Sequence, residues 1–198
     1  MKKTRNDTLL QRIKRRIVIN TVKSSLVFLF LLTLSAVAFP QKRNGFDLSR
    51  VSIPLDEIKD GGSPKDGIPS IDSPHFIPAS EATMEKKERI LGLELNGIAK
   101  AYPISILNYH EIVNDQFSDT PVVITYCPLC SSGLAFDAVV EDSRLTFEVS
   151  GLLYNSDLLL YDRQTSSLWS QMMSEAVSGS LLGEKLKPLV TANTTWEE

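Results

Sequence analysis

Cysteine and histidine are scarce in this chain of 198 residues, which has two of each. A zinc ribbon, which needs two Cys-x-x-Cys pairs, is therefore excluded. No Gly-x-Ser-x-Gly, phosphate loop, dinucleotide fingerprint or His-Glu-x-x-His occurs, so no familiar hydrolase, nucleotide or metalloprotease signature is available. Internal repeats and low-complexity tracts are missing as well. Basic charge is short where nucleic acid would need it. Eight Lys/Arg precede Ser24, leaving thirteen bases against twenty-three acids in the remainder. So acidic a body is a poor match for phosphate neutralisation, and nucleic acid is not expected as a partner.

The eight bases have another use. They precede "SSLVFLFLLTLSAVAF", Ser24 to Phe39, an uncharged and mostly apolar run ending near the small-x-small trio Ala36-Val37-Ala38. A basic segment (1–23) followed by an apolar one (24–39) is expected to be a signal peptide or a transmembrane anchor. The run is shorter than the ~20 apolar residues of a full span, and both versions stay open. In either case the positive residues stay inside, which puts everything after Phe39 outside the cytoplasm, tethered to the membrane or released from it. No cysteine lies near the trio, which excludes lipid attachment there.

Residues 40–81 are rich in Pro, Gly, Asp and Ser. Four prolines, Pro64, Pro69, Pro74 and Pro78, forbid a helix there. An extended arm with apolar anchors such as Ile53, Ile58, Ile71 and Phe76 is expected. The compact domain is placed at 82–198. "LELNGIAKAYP" is a hairpin about Asn96-Gly97. "PISILNYHEIVND" is a short helix opened by Pro103, with Ile106, His110 and Val113 on one face. "PVVITY", "DLLLYD" and "KLKPLV" are strands, "LAFDAVV" and "RLTFEVSG" a second hairpin, and "TTWEE" starts like a helix. The fold class expected is α+β and strand-rich: mostly antiparallel hairpins, one or two short helices, and the N-terminal hydrophobic signal or anchor helix in front.

Both cysteines lie in "TYCPLCSSGLAF", at the end of an apolar run. Three readings compete for Cys127 and Cys130. In a thioredoxin-like redox site a helix would follow the first cysteine and lower its pKa, but "SSGLAFDAVV" has strand character, which leaves redox chemistry only on another scaffold. A metal knuckle would borrow further ligands, with His110 the leading candidate and Glu111 available beside it. Thiolate with imidazole suits copper or zinc, and Met172-Met173 offer thioethers or, more plainly, core packing. A structural disulfide closing so short a loop removes only about 2 kcal/mol of unfolded-chain entropy, before strain is subtracted.

The same segments resemble a known family. "NGFDLS", "KDGIPSID", "AYPISILNYHEIVND", "TYCPLCSSGLAF", "LTFEVSGLLYNSDLLLYDRQTSSLWSQ" and "TWEE" are similar to the bacterial and archaeal domain of unknown function 3179, from Asn44 onward. The resemblance implies no activity. It implies that a glycine usually stands where this chain has Ser131, and that the chain stops short of the family's usual end. It also raises interest in Asp162, Arg163, Trp169 and Gln171. These form either a polar rim in which Arg163 binds an anion and Trp169 stacks on a ligand, or a turn fixed by Asp162 accepting backbone N–H bonds. Glu111 with Asp162 is an acid–base pair only if the fold joins them. The expected protein is thus an exported one with a site at Cys127, Cys130 and His110, binding copper or zinc. A thiol–disulfide protein and a non-catalytic module with a structural cysteine pair are the alternatives.

Overall fold

The computed structural model describes residues 41–198, and the signal or anchor expected at 24–39 lies outside the described residues. Within them, β8 (Thr120–Cys127) explains why "VVITYC" has no polar face. Val123 and Cys127 point into one core while Val122, Ile124 and Tyr126 point into another, so the strand is buried on both sides. β13 (Asp157–Asp162) repeats the arrangement, with Leu158 and Leu160 on one side and Leu159 and Tyr161 on the other.

These two strands are the centres of two stacked sheets. The first sheet runs in the order β15-β14-β13-β12-β3, built from β3 (Ile58–Asp60), β12 (Phe147–Tyr154), β13, β14 (Leu168–Ser170) and β15 (Glu175–Ala176). The second runs β16-β9-β8-β7-β4, from β4 (Ile71–Asp72), β7 (Ile112–Phe117), β8, β9 (Ser132–Asp137) and β16 (Lys187–Leu189). Pairing is antiparallel except between β4 and β7. Phe136, Phe147, Leu160 and Trp169 fill the space between the sheets. A three-stranded sheet, β17-β5-β6, of β5 (Arg89–Leu95), β6 (Ile98–Pro103) and β17 (Thr191–Thr195), packs with helix α1 (Ile104–His110) on the far side of the second sheet. Two-residue hairpins complete the set: β1 (Lys42–Arg43) with β2 (Phe46–Asp47), and β10 (Val139–Val140) with β11 (Ser143–Arg144). The described residues are therefore strand-rich, with antiparallel sheets and one α-helix.

Residues 41–81 do not stand apart. Phe46, Leu48, Ile53 and Ile58 are buried against the outer face of the first sheet, worth about 1.5–3 kcal/mol each when fully covered. β12 is irregular between Val149 and Leu152, where Gly151 has φ +72° and a Cβ would lie 2.0 Å from the Ser63 carbonyl oxygen. Only glycine lets the two backbones pass there. The prolines do limit this stretch to short strands and two 3-10 turns, Leu55–Glu57 and Ala79–Glu81.

The Asn96-Gly97 hairpin is present, with φ of 56° and 74° at its two central residues. Three local expectations are corrected. α1 ends at His110, because Glu111 takes φ 57°. Val113 is then a strand residue and Ile106 is exposed. "LAFD" pairs with β8 and β16 rather than with "LTFEVSG", and the second hairpin shrinks to β10–β11. Thr191 to Thr195 form an edge strand on β5, not a helix start. Threonine suits a strand at least as well as a cap, and β5 had backbone groups to satisfy.

Candidate metal centre

Cys127 ends β8 and pairs across the hairpin with Ser132, the first residue of β9. Pro128, Leu129, Cys130 and Ser131 form the loop, and Ser131 takes φ 54°. The loop turns Cys130 back toward Cys127: the Cys130 thiol lies 4.0 Å from the Cys127 carbonyl oxygen. Cys127 is buried and Cys130 exposed, and both are free thiols. Burial first, then the neighbouring Cys130 side chain, pushes the Cys127 thiol up to about 12. A strand, not a helix, follows the pair, so no helix dipole acts on either sulfur.

The third member comes from the other sheet. Asn155 and Ser156, with φ of 52° and 63°, turn β12 into β13 and set Asp157 at the head of β13. Its carboxylate and both sulfurs lie within 4.8 Å of one another, a group that can hold a metal ion. The Cys130 thiol donates to Asp157 Oδ1 at 3.2 Å, and the Met172 N–H donates to Oδ2 at 3.3 Å. Ser132 Oγ is 2.9 Å from Cys130 Sγ and 3.5 Å from Asp157 Oδ1. Behind it Gln171, fully buried, holds Ser132 Oγ at its Oε1 (2.9 Å) and donates from Nε2 to Thr125 Oγ1 (2.8 Å).

Asp157 is only 5% exposed, yet its short contacts are limited to one thiol at 3.2 Å and one backbone N–H at 3.3 Å, and among the described residues it makes no ion pair. Asp162, at the other end of the same strand, is the opposite case. It accepts from the Thr165 N–H at 2.6 Å, the Thr165 hydroxyl at 2.8 Å and the Trp169 indole at 3.0 Å. Asp162 is a satisfied structural acid. Asp157 is a buried carboxylate short of positive charge, beside two sulfurs, and buried charges are ordinarily paired or bound to metal.

His110 takes no part in this group. Its Nδ1 donates to the Pro69 carbonyl oxygen at 2.9 Å, which ties α1 to the arm, and Asp157 has the place expected for the imidazole. Glu111 is the C-cap of α1, and burial raises its carboxyl to about 7. Of the "DRQTSSLWSQ" residues, only Gln171 belongs with the cysteines. Asp162 fixes the turn, and Trp169 is fully buried edge-on to Phe147 rather than open to a ligand. Arg163 pairs with Asp72 at 2.8 Å and with Glu148, and donates to Ser70, so it clamps the arm instead of binding an anion. Met172 and Met173 are 55% and 42% exposed, not core, and only the Met172 backbone N–H contacts Asp157.

Sequence reasoning missed Asp157 and Ser132. A signal existed for the first: an acid leads a strand whose next four residues are apolar. The family model described as "Protein of unknown function (DUF3179)" matches residues 65–198. The chain belongs to this family. The match covers the cysteine loop, Asp157 and Gln171, and the description of DUF3179 names no activity. Neither the curated proteins nor the solved structures give a match.

Proposed function

We propose that this DUF3179 chain is an exported, membrane-tethered protein that binds one zinc ion through Cys127, Cys130 and Asp157. The observation that carries the reading is the setting of Asp157: buried, without a cationic partner among the described residues, and within 4.8 Å of two sulfurs. A divalent cation supplies the missing charge to all three groups. Replacing imidazole by carboxylate also moves the choice of metal. Two thiolates alone suit copper(I), whereas a hard oxygen beside them suits zinc, so zinc ranks ahead of copper. Export rests on the basic segment before Ser24 and the apolar run to Phe39. The partner in this reading is the membrane, with no nucleic acid.

Metal uptake must displace thiol protons, since Cys127 is protonated at neutral pH. Affinity therefore rises with pH. The test is element analysis of the full chain, reduced, loaded with zinc and freed of excess. About one zinc per chain is expected, falling by most of its value in Asp157→Asn and Cys130→Ser. Less than about a tenth of an equivalent after reconstitution, for zinc and copper alike, overturns the reading.

One observation favours a thiol–disulfide protein as the second reading. Cys130 is exposed and Cys127 buried, the asymmetry of an attacking and a resolving thiol. Against it, a strand rather than a helix follows the pair, and among the described residues no N–H group donates to the Cys130 sulfur. A reduction potential of the pair far below about -300 mV would mark an inert bridge and remove this alternative.

A further inference from the structure

The hydrogen-bond partners of the Ser132 hydroxyl and the Gln171 amide assign their protons. Thr125 Oγ1 lies 3.1 Å from the Leu134 carbonyl oxygen, which can only accept, so the Thr125 proton goes there. Toward Gln171, at 2.8 Å, Thr125 Oγ1 then accepts from Nε2. The Ser132 carbonyl oxygen, 3.4 Å from Nε2, is a second acceptor on the same side. The amide therefore has one orientation, and its Oε1 faces Ser132 Oγ at 2.9 Å. Oε1 has no proton, so the single hydroxyl proton of Ser132 is committed to Gln171. What Ser132 turns toward Cys130 and Asp157 is a lone pair.

Of three edges of a coordination shell, two lie within about 0.3 Å of the ideal and the Cys130–Ser132 edge is shorter. With zinc bonds of about 2.3 Å to sulfur and about 2.0 Å to oxygen, a tetrahedron has sulfur–oxygen edges of about 3.5 Å and oxygen–oxygen edges of about 3.3 Å. The separations are 3.2 Å for Cys130 Sγ to Asp157 Oδ1, 2.9 Å for Cys130 Sγ to Ser132 Oγ, and 3.5 Å for Ser132 Oγ to Asp157 Oδ1. We propose that Ser132 Oγ is the fourth ligand of the metal held by Cys127, Cys130 and Asp157, and that Gln171 is the positioning residue that keeps its lone pair inward. This rests on the zinc reading above and closes its coordination sphere. The result is a two-sulfur, two-oxygen site, selective for zinc over copper(I), with the buried Thr125 and Gln171 as its outer support.

Cobalt(II), which reports coordination by its absorption, is the probe, added to the full reduced chain. The wild-type protein is expected to show thiolate-to-cobalt charge-transfer bands with the intense visible bands of a four-coordinate site. Ser132→Ala keeps the charge-transfer bands, changes the visible ones, admits added azide to the metal and weakens zinc roughly 10- to 100-fold. Gln171→Leu reproduces the spectral change in part, and Ser132→Thr, which retains the hydroxyl, restores the wild-type spectrum. A merely structural Ser132 would alter stability without altering these bands. Wild-type spectrum and zinc affinity in Ser132→Ala, with charge transfer intact, overturns this proposal and leaves the three-ligand reading standing. Absence of cobalt and zinc uptake by the wild-type chain overturns both.

Discussion

Asp157 and Asp162 begin and end one strand, and the contrast between them shows how context assigns a role to a side chain. Asp162 accepts from two N–H groups and a hydroxyl, while Asp157 accepts from one backbone N–H and a thiol and lies beside two sulfurs. Other single positions carry their own consequences. Ser131 occupies the left-handed region at φ 54°, which costs a residue with a Cβ about 1–2 kcal/mol. Ser131→Gly should relieve this at a net gain of about 0.5–1 kcal/mol after the entropy cost of glycine. The gain should be visible as a rise of about 1–4 °C in thermal midpoint. Glu111 has its carboxyl raised by burial from the ordinary 4.5 to about 7. The folded state thus holds the proton more tightly than the unfolded state. The contribution is fully present below pH 4.5 and lost as pH rises through about 7. Glu111→Gln should flatten the decline between these values, as urea midpoints at several pH values will show. An unchanged slope would mean that another group sets it.

At the scale of elements, turns do the positioning. The Cys127–Ser132 loop and the Asn155-Ser156 turn belong to different sheets, and each delivers one part of the site. The β13–β14 turn has the separate task of joining two strands of the first sheet, and Asp162 holds it. Asp162→Ala leaves the Trp169 indole N–H and the Thr165 N–H without their acceptor, at a cost of about 2–5 kcal/mol. Zinc bound per folded chain should not change. Denaturant unfolding and element analysis on the same preparation separate the two effects, and loss of zinc from a still-folded variant would link this turn to the site. These elements were legible to different degrees. The Asn96-Gly97 hairpin and the strands "PVVITY" and "DLLLYD" could be read because turn chemistry and burial are local properties. "TTWEE" could not, because its two threonines end a strand that depends on the free edge of β5, about a hundred residues earlier.

At the scale of the whole molecule, the arm, the two five-stranded sheets and the three-stranded sheet with α1 follow one another as layers, each sharing a core with the next. Arg163 with Asp72, and Asn114 with the backbone of Phe147 at 2.8 and 2.9 Å, stitch neighbouring layers by polar contacts. The topology proposed for the full chain has a direct test. After an impermeant chelator has removed the metal, a membrane-impermeant thiol reagent on intact cells should label Cys130, exposed in its loop, and Cys130→Ser should remove the signal. Labelling that appears only after lysis would place the domain in the cytoplasm.

The amino-acid sequence by itself determined the strand-rich class, the sulfur pair as the centre of interest and the family, because periodicity, turn residues and motif spacing are carried by neighbours along the chain. It could not choose the partner of the sulfurs. His110 was nearer in sequence and chemically suited, but its ring is held by the Pro69 carbonyl. Asp157, thirty residues beyond Cys127, is brought to the thiols by the stacking of two sheets. That choice belongs to tertiary structure, since only packing decides which polar groups share a buried space and which of them is left short of charge.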